Sequence, residues 1–204
     1  MDSINKLTEI FKEFPGVGPR QAKRFVYYLL SRNNGYLDSL SKLMIGLKRD
    51  VSVCSSCFRY SISTGAANKC SICLDRGRDA GFLMVVSRDV DLETIEKSRS
   101  YNGYYFVLGG TVPILEKEPD KWIRAKELAA AAAKRAAAGL KEIIIATNLN
   151  PEGENTADHV AKLLSPVVKR YNIKISGLGR GLSTGTELEY IDSETMKNAL
   201  KNRA

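Results

Sequence analysis

The sequence lacks several features that define whole classes of protein. No apolar run among its 204 residues approaches the roughly 20 residues that a membrane-spanning helix needs. No P-loop signature, a glycine-rich run ending in Gly-Lys-Ser or Gly-Lys-Thr, is present to cradle the phosphates of a nucleotide. There is also no apolar leader with a cleavage site, so we expect a cytoplasmic protein with no membrane partner, in which disulfides are rare.

Histidine and tryptophan each occur once. His159 lies in a predicted helix, where we expect it to face solvent or a neighbouring side chain and not a metal. Trp122 is predicted to begin a helix and to anchor its packing, as a large aromatic side chain does. Neither residue is therefore expected to carry chemistry.

Cysteine is scarce as well, and all four residues lie in one short stretch. Cys54 and Cys57 form one C-x2-C pair, Cys70 and Cys73 form another, and twelve residues separate the pairs. This spacing predicts a structural zinc site, because a loop of roughly 10 to 20 residues brings two such pairs around one tetrahedral metal. Four thiolates leave no open coordination position, so we expect the Zn2+ ion to hold structure without doing chemistry. The alternatives are a pair of disulfides or four unrelated buried thiols.

The positive charge of the chain is concentrated in its N-terminal part. The net charge is +8, and residues 1–80 contribute most of it, with 13 lysines and arginines against 7 aspartates and glutamates. A local positive field favours a phosphate backbone, because each neutralised phosphate releases counterions. The alternative is that this charge only keeps the protein in solution.

Apolar periodicity divides the chain into a helical N-terminal region and an α/β region. Helices are predicted over 4–14, 21–30 and 37–50, with breaks at 15–19 and 33–35. From Gly81 onward, strands and helices alternate: the predicted strands are 82–86, 104–108, 143–146 and 173–175, and the predicted helices are 92–98, 122–138, 156–171 and 194–202. This alternation indicates a parallel sheet with both faces covered, in a multidomain α/β protein.

The first break resembles the helix-hairpin-helix motif of DNA-binding proteins. Gly16 and Gly18 allow a sharp turn, and Pro19 suits the first turn of the helix that follows. Backbone N–H groups at that helix start then form an anion site. The nearby cations share one helical face at spacings of three and four, and they are Arg20, Lys23 and Arg24. The alternative is a plain helical corner whose basic residues are only solvated.

Residues 81 to about 177 resemble a Toprim domain, the fold shared by topoisomerases and bacterial primases. In catalytic members a glutamate ends the first strand and a D-x-D follows a later strand, and together they hold Mg2+. Here Ser87 stands at the position of the glutamate, and Asn148 and Asn150 replace the aspartates. Neutral side chains cannot supply the negative charge that such a metal site needs, so catalysis is not expected.

Three carboxylates remain near the altered motif: Glu152, Glu154 and Asp158. They could bind one Mg2+ ion, face a basic partner, or simply favour the positive end of a helix dipole. They also define the enzymatic alternative, a Mg2+-dependent nuclease or topoisomerase-like protein. A third possibility is a module that binds only protein.

The order of these regions resembles the RecR family of bacterial recombination mediators over essentially the full length. The carrying motifs are residues 14–24, the cysteine quartet, 78–79, 101–110, 146–154 and 181–192. The resemblance implies a ring-forming, non-catalytic homodimer or homotetramer that binds single-stranded or gapped DNA and helps RecO or RecF to load RecA. It maps DNA contact onto Arg20 and Arg24, partner contact onto Glu152 and Glu154, and oligomer contacts onto both chain ends.

Four regions follow from these motifs: a helix-hairpin-helix region at 1–53, a zinc finger at 54–73, a Toprim domain at 80–176 and a C-terminal tail at 177–204. We expect the zinc finger to join the helical region in one segment of about 80 residues that builds its own core. Regions of that size often need a metal. The expected role of the zinc finger is to fix how the hairpin is presented relative to the sheet.

Overall fold

The computed structural model describes residues 2–62 and 68–202. The chain divides into two compact units, of which the first ends at Val51 and the second begins at Ser52. No helix in these two described ranges is long and apolar enough to cross a membrane.

The first unit contains three helices: α1 (Ser3–Lys12), α2 (Pro19–Leu30) and α3 (Asn34–Asp50). Helices α1 and α2 pack together through the ring of Phe11, whose centroid lies 5.8 Å from that of Phe25. The turn between them is closed by a hydrogen bond from the amide of Val17 to the carbonyl of Phe14, at 3.0 Å. Gly16 has a φ of +77°, which lies in the left-handed region where glycine costs least.

Helix α3 begins three residues before its predicted start. The sequence around Asn33 was expected only to end α2, but its side chain accepts a hydrogen bond from the amide of Tyr36 and caps α3. Asn33 thus starts α3, whereas α2 has already ended at Leu30 with Ser31 as its C-cap.

The second unit is an α/β domain built on a parallel sheet. It opens with the short elements β1 (Val51–Val53), β2 (Tyr60–Ile62) and α4 (Ser71–Leu74). Its four main strands are β3 (Asp79–Val86), β4 (Gly103–Val107), β5 (Glu142–Ala146) and β6 (Lys174–Gly177). The strand order is β4-β3-β5-β6, and all three pairings are parallel. The predicted covered parallel sheet is therefore confirmed.

Helices cover both faces of this sheet. They are α5 (Asp89–Ser98), α6 (Ala125–Ala137) and α7 (Pro151–Tyr171), and the tail carries α8 (Ser193–Lys201). One face packs against the buried leucines and alanines of α6 and α7, including Leu128, Ala132 and Leu164. The other face packs against Leu92 of α5 and the cysteines. Alanine-rich α6 is thus a core helix whose small buried side chains lie among those of α7 and the sheet.

Three helix starts in this domain were predicted wrongly, and the first is that of α5, which begins at Asp89, three residues early. Helix α6 begins at Ala125, and Trp122 precedes it with its ring about half exposed and its indole N–H donating to Glu116 at 2.7 Å. Helix α7 begins five residues early, because the Asn150 side chain accepts a hydrogen bond from the amide of Gly153 and Pro151 occupies the first turn.

The start of α7 depends on a close backbone approach at Gly153. A Cβ atom there would collide with the carbonyl group of Asn148, which is backbone and cannot rotate away. The Gly153 carbonyl also accepts a hydrogen bond from the hydroxyl of Thr147 at 2.9 Å. The turn from β5 into α7 therefore requires glycine.

Replacing Gly153 with alanine is expected to lower the free energy of unfolding by about 1–3 kcal/mol, because the turn must open to admit a methyl group. Urea unfolding followed by circular dichroism measures this. Gly179→Ala is the matched control, since a Cβ there meets nothing within 4 Å, and it should change stability by less than about 0.5 kcal/mol. Equal unfolding midpoints for the two variants would contradict the assignment.

Candidate metal centre and nucleic-acid interface

The four cysteines converge on one point. Their sulfur atoms all lie within 4.8 Å of one another, and the Sγ atoms of Cys57 and Cys70 are 3.6 Å apart. Four thiolates around a tetrahedral metal at about 2.3 Å have neighbouring sulfur atoms about 3.8 Å apart. Cys54, Cys57 and Cys70 are buried, and Cys73 is half-buried. The arrangement could bind a metal ion.

Local backbone geometry makes this convergence possible. After the first pair, Phe58 takes a left-handed conformation with a φ of +61°, and its amide donates to the carbonyl of Cys54 at 3.0 Å. The second pair is brought in by Asn68, whose carbonyl accepts from the amide of Ser55 at 2.8 Å and whose side chain donates to the carbonyl of Val53. The amide of Cys70 then donates to the sulfur of Cys54 at 3.3 Å.

The electrostatics of the cluster favour a cation. Hydrogen bonds to Cys70 and then to Cys73, together with burial, raise the pKa of Cys57. The hydrogen bond from Cys57 lowers the pKa of Cys70, whose sulfur is the favoured site of negative charge. Four buried thiolates would repel one another strongly, and a divalent cation at their centre removes that repulsion and deprotonates the ligands. The donor set therefore fits a soft metal such as Zn2+.

Residues 54–62 and 68–73, which form the cysteine segment, are attached to the sheet. The amide of Val107, the last residue of β4, donates to the carbonyl of Cys57 at 2.8 Å. The amide of Tyr60 donates to the carboxylate of Asp89, at the start of α5, at 2.7 Å. The ring centroids of Phe58 and Phe106 lie 5.2 Å apart. Three separate contacts therefore join the segment to the rest of the second unit.

The expectation that the cysteines share a core with the N-terminal helices was wrong. They pack in one cluster with Met84, Val86 and Tyr105 of the sheet, and the compact second unit begins before them, at Ser52. A segment with so few apolar side chains cannot enclose four sulfur atoms by itself, so it uses the face of the sheet. The role of the metal in presenting the hairpin stays a prediction.

The hairpin of the first unit presents a basic surface. Arg20, Lys23 and Arg24 are exposed along α2, whereas Ala22 and Val26 are buried on its other side. Within residues 2–62 and 68–202, the three basic side chains form no ion pair or hydrogen bond with another residue. The structure thus brings the predicted basic residues onto one free helical face.

The two glycines of the hairpin differ in what they require. A Cβ on Gly16 or Gly18 would meet nothing within 4 Å, but only Gly16 has a positive φ. Gly18 is extended and serves as N-cap of α2 without a side-chain hydrogen bond. The backbone at Gly18 is therefore open to a group from outside the chain.

The altered Toprim motif lies where β3 and β5 end side by side. Ser87 follows β3 and is fully buried, and its hydroxyl has no hydrogen-bond partner among the residues that the structure describes. Asn150 is engaged as the N-cap of α7. Charged carboxylates are thus replaced here by a buried hydroxyl and a structural amide.

The three remaining carboxylates do not come together. Glu152 and Glu154 lie in the first turn of α7; Glu154 pairs with Arg180 at 2.8 Å, and Glu152 accepts from the hydroxyl of Thr111 at 3.4 Å. Glu154 and Asp158 both line one open cavity, and Asp158 also lines a second one, beside His159. In the described part of the chain, the cysteines are the one group of three or more potential metal ligands this close together.

His159 faces a neighbour, as predicted: its Nε2 atom lies 2.8 Å from the carboxylate of Asp120. Sequence reasoning missed Phe58, Asn68 and Arg124 as supports of the metal centre. Arg124 places its guanidinium 5.7 Å from the Phe58 ring centroid and donates to the carbonyl of Val107 at 2.9 Å. Only Asn68 carried a sequence signal, since asparagine tolerates the left-handed conformation that it adopts here.

Three family models match the chain. They are described as "RecR, helix-hairpin-helix" at residues 4–46, "Toprim domain" at residues 81–178 and "RecR, C-terminal" at residues 181–204. The predicted fold class, with its helix-hairpin-helix, four-cysteine cluster, Toprim sheet and short C-terminal segment, is confirmed.

Curated relatives match nearly the whole chain. The proteins named "Recombination protein RecR" from Ligilactobacillus salivarius and from Lactococcus lactis subsp. lactis are 34% and 35% identical to it, and each match covers 99% of this chain and 96% of the relative. A protein of the same name from a Cyanothece species is 34% identical over 98% of this chain and 94% of its own length.

Replacing Cys57 with serine is expected to abolish metal binding and to lower the free energy of unfolding of the second unit, on the order of 4 kcal/mol. Elemental analysis should fall from about one metal ion per chain to near zero. DNA binding should be affected less than folding, because the basic hairpin lies in the first unit.

Ser56→Ala is the matched control, since it changes a neighbouring side chain and leaves all four sulfur ligands. A Cys57→Ser variant that kept both its metal and its stability would show that the four sulfur atoms do not form one site.

Proposed function

Because this chain belongs to the RecR family of recombination proteins, we propose that it is a non-catalytic mediator that binds single-stranded or gapped DNA and helps RecO- or RecF-type proteins to load RecA. The observation that carries the proposal is the free basic face of α2 beside an open glycine turn. Phosphates are the ligands that such a surface selects.

The hairpin binds the phosphate backbone by two means. Gly16 and Gly18 let a phosphate approach the main chain, and the first turn of α2 offers amides that have no partner within the helix. Arg20, Lys23 and Arg24 add positive charge on the same face. Contacts of this kind position the protein on DNA and do not read its sequence.

The metal held by Cys54, Cys57, Cys70 and Cys73 is Zn2+ in a structural role. Zinc prefers a tetrahedron of thiolates, and a closed four-sulfur site leaves no coordination position for water or substrate. When bound, the ion supplies the positive charge that the buried sulfur atoms need. It thereby holds both cysteine pairs against the sheet.

The Toprim region acts as a binding scaffold. The carboxyl ends of β3 and β5 lack the clustered carboxylates that would hold Mg2+, because Ser87, Asn148 and Asn150 are neutral. Glu152 and Glu154 instead form an acidic surface beside the exposed side chain of Leu149, suited to a basic protein partner. The ion pair between Glu154 and Arg180 is partly exposed, so a partner's arginine can replace it at little cost.

The protein works as a homodimer or homotetramer that encloses DNA in the cytoplasm. Helix α3 has only Gly46 buried and leaves Leu43 and Ile45 more than 70% exposed. The tail, residues 177–204, leaves Leu188 and Tyr190 exposed in the same way. Large exposed apolar side chains of this kind mark contact surfaces, and here they lie toward both ends of the chain.

Arg20→Ala combined with Arg24→Ala is expected to weaken binding to single-stranded and gapped DNA uniformly across sequences. Losing two phosphate contacts should also reduce the slope of log K against log salt by about 1.4 for a single strand. Fluorescence anisotropy over a salt series measures both quantities. Lys162→Ala with Lys169→Ala removes the same charge from an exposed face of α7 and should leave the slope unchanged. Parent-like affinity of the arginine variant at moderate salt would rule out the hairpin as the DNA contact.

The scaffold proposal also predicts no turnover of DNA. Incubation of the full chain with Mg2+ and supercoiled or nicked plasmid should leave the DNA unchanged on agarose gels. Cleavage or relaxation that Glu152→Gln abolishes would instead establish the enzymatic alternative.

A further inference from the structure

The basic face of α2 continues into a group of tyrosines. Residues 14–37 contain four basic side chains and no aspartate or glutamate. Tyr27 and Tyr28 follow Lys23 and Arg24 by one helical turn each, so they lie on the same face. An uninterrupted positive surface therefore leads directly to aromatic rings.

These rings are only half covered by the chain itself. Tyr27 is 53% exposed, Tyr28 46% and Tyr36 42%. The side chain of Tyr27 has no hydrogen bond, ring contact or cation contact within the ranges 2–62 and 68–202. Its ring is not needed to hold α2 in place, since Ala22 and Val26 make the buried contacts of that helix.

The other two rings are held in fixed positions around an arginine. The guanidinium carbon of Arg32 lies 4.2 Å from the ring centroid of Tyr28 and 5.8 Å from that of Tyr36. The two rings meet edge to face, with centroids 6.4 Å apart. Arg32 has no ion-pair partner in the described part of the chain, so its charge stays available. The cluster is ordered before any ligand arrives.

We propose that Tyr27, with the ordered cluster of Tyr28, Arg32 and Tyr36, is a base-stacking platform that gives the hairpin a preference for DNA with unpaired bases. The inference rests on the proposed DNA contact of the hairpin and names its substrate. A groove of cations with aromatic faces beside it is the chemistry that binds single strands: the cations take the phosphates, and each base stacks on a ring. A duplex keeps its base faces hidden and can use only the cations.

A second copy of the chain is a poorer occupant of this surface. A symmetric contact would place the four cations of residues 14–37 against the same four, with no acidic residue in that segment to offset them. A nucleic acid carries the complementary charge.

The test compares Tyr27→Ala with Tyr27→Phe in the full-length protein. Anisotropy is measured with a labelled thymidine oligomer and with an abasic oligomer of equal length, which has phosphates but no bases. Tyr27→Ala should weaken binding of the thymidine oligomer about 5- to 150-fold, as loss of one stacked base does. It should leave the abasic oligomer and the salt slope unchanged, and Tyr27→Phe should match the parent. Tyr171→Ala is the control, because Tyr171 is also partly exposed and near a cation but lies in the second unit.

Photo-cross-linking to a bromodeoxyuridine oligomer supplies a second readout. Trypsin cleavage after Arg24 and Arg32 yields one peptide that holds both Tyr27 and Tyr28, and the adduct should map to it. No adduct on this peptide would count against the platform.

The outcomes separate this inference from the proposed function. If Arg20→Ala with Arg24→Ala weakens binding of both oligomers but Tyr27→Ala weakens binding of neither, the platform is wrong and the hairpin contact stands. If the arginine variant weakens neither oligomer, the hairpin contact itself fails. If Tyr27→Ala weakens both oligomers equally, or lowers the mass measured by light scattering, the ring serves the fold or a second copy, and the platform is overturned.

Discussion

The packing of four cysteine side chains against the sheet is the constraint on which the second unit depends. Strand β4 is an edge strand, and its last amide, that of Val107, finds its acceptor in the carbonyl of Cys57. The cysteine segment therefore completes a sheet edge that would otherwise present an unpaired group. Uncompensated negative charge on the sulfur atoms would destabilise this arrangement. A metal ion that compensates that charge would therefore also stabilise the sheet. A segment this small has few apolar side chains of its own, so a metal ion bound by the four sulfur atoms would add to the order that the sheet provides.

The sequence predicted the parts of the fold that depend on repeated apolar spacing, and it failed where one side chain decides a boundary. Strand β5 was placed within one residue, since a buried parallel strand is a short apolar run with clear ends. The start of α7 was missed because capping by Asn150 begins the helix five residues before its predicted start. The conformation of Phe58 could not have been predicted. Only tertiary contacts with Phe106 and Arg124 hold a bulky residue in a left-handed conformation that glycine usually takes.

The side chains that follow the carboxyl ends of β3 and β5 are neutral, and the fold itself does not require them to be. Asparagine and aspartate are equally good N-caps, so α7 would begin equally well with an aspartate at position 150. The cap of α7 therefore does not require a neutral side chain at position 150. Ser87 makes the same point differently, since its buried hydroxyl has no partner among the described residues and contributes no hydrogen bond to the fold. Both side chains are neutral, so neither supplies the negative charge that a Mg2+ site needs.

The first unit shows how folding alone can orient a basic surface. Ala22 and Val26 are the buried residues of α2, and their spacing of four fixes the rotation of the helix about its axis. Once that rotation is fixed, residues 20, 24 and 27 must point away from the core, because they lie on the opposite side of a helix with 3.6 residues per turn, and residue 23 lies on the flank beside them. The left-handed turn at Gly16 sets where the helix begins and so where its free amides lie. The apolar pattern that packs α2 thus also aligns the cations and the first tyrosine on one face. The surface needs no further element to order it, and a ligand that binds there meets groups that are already in position.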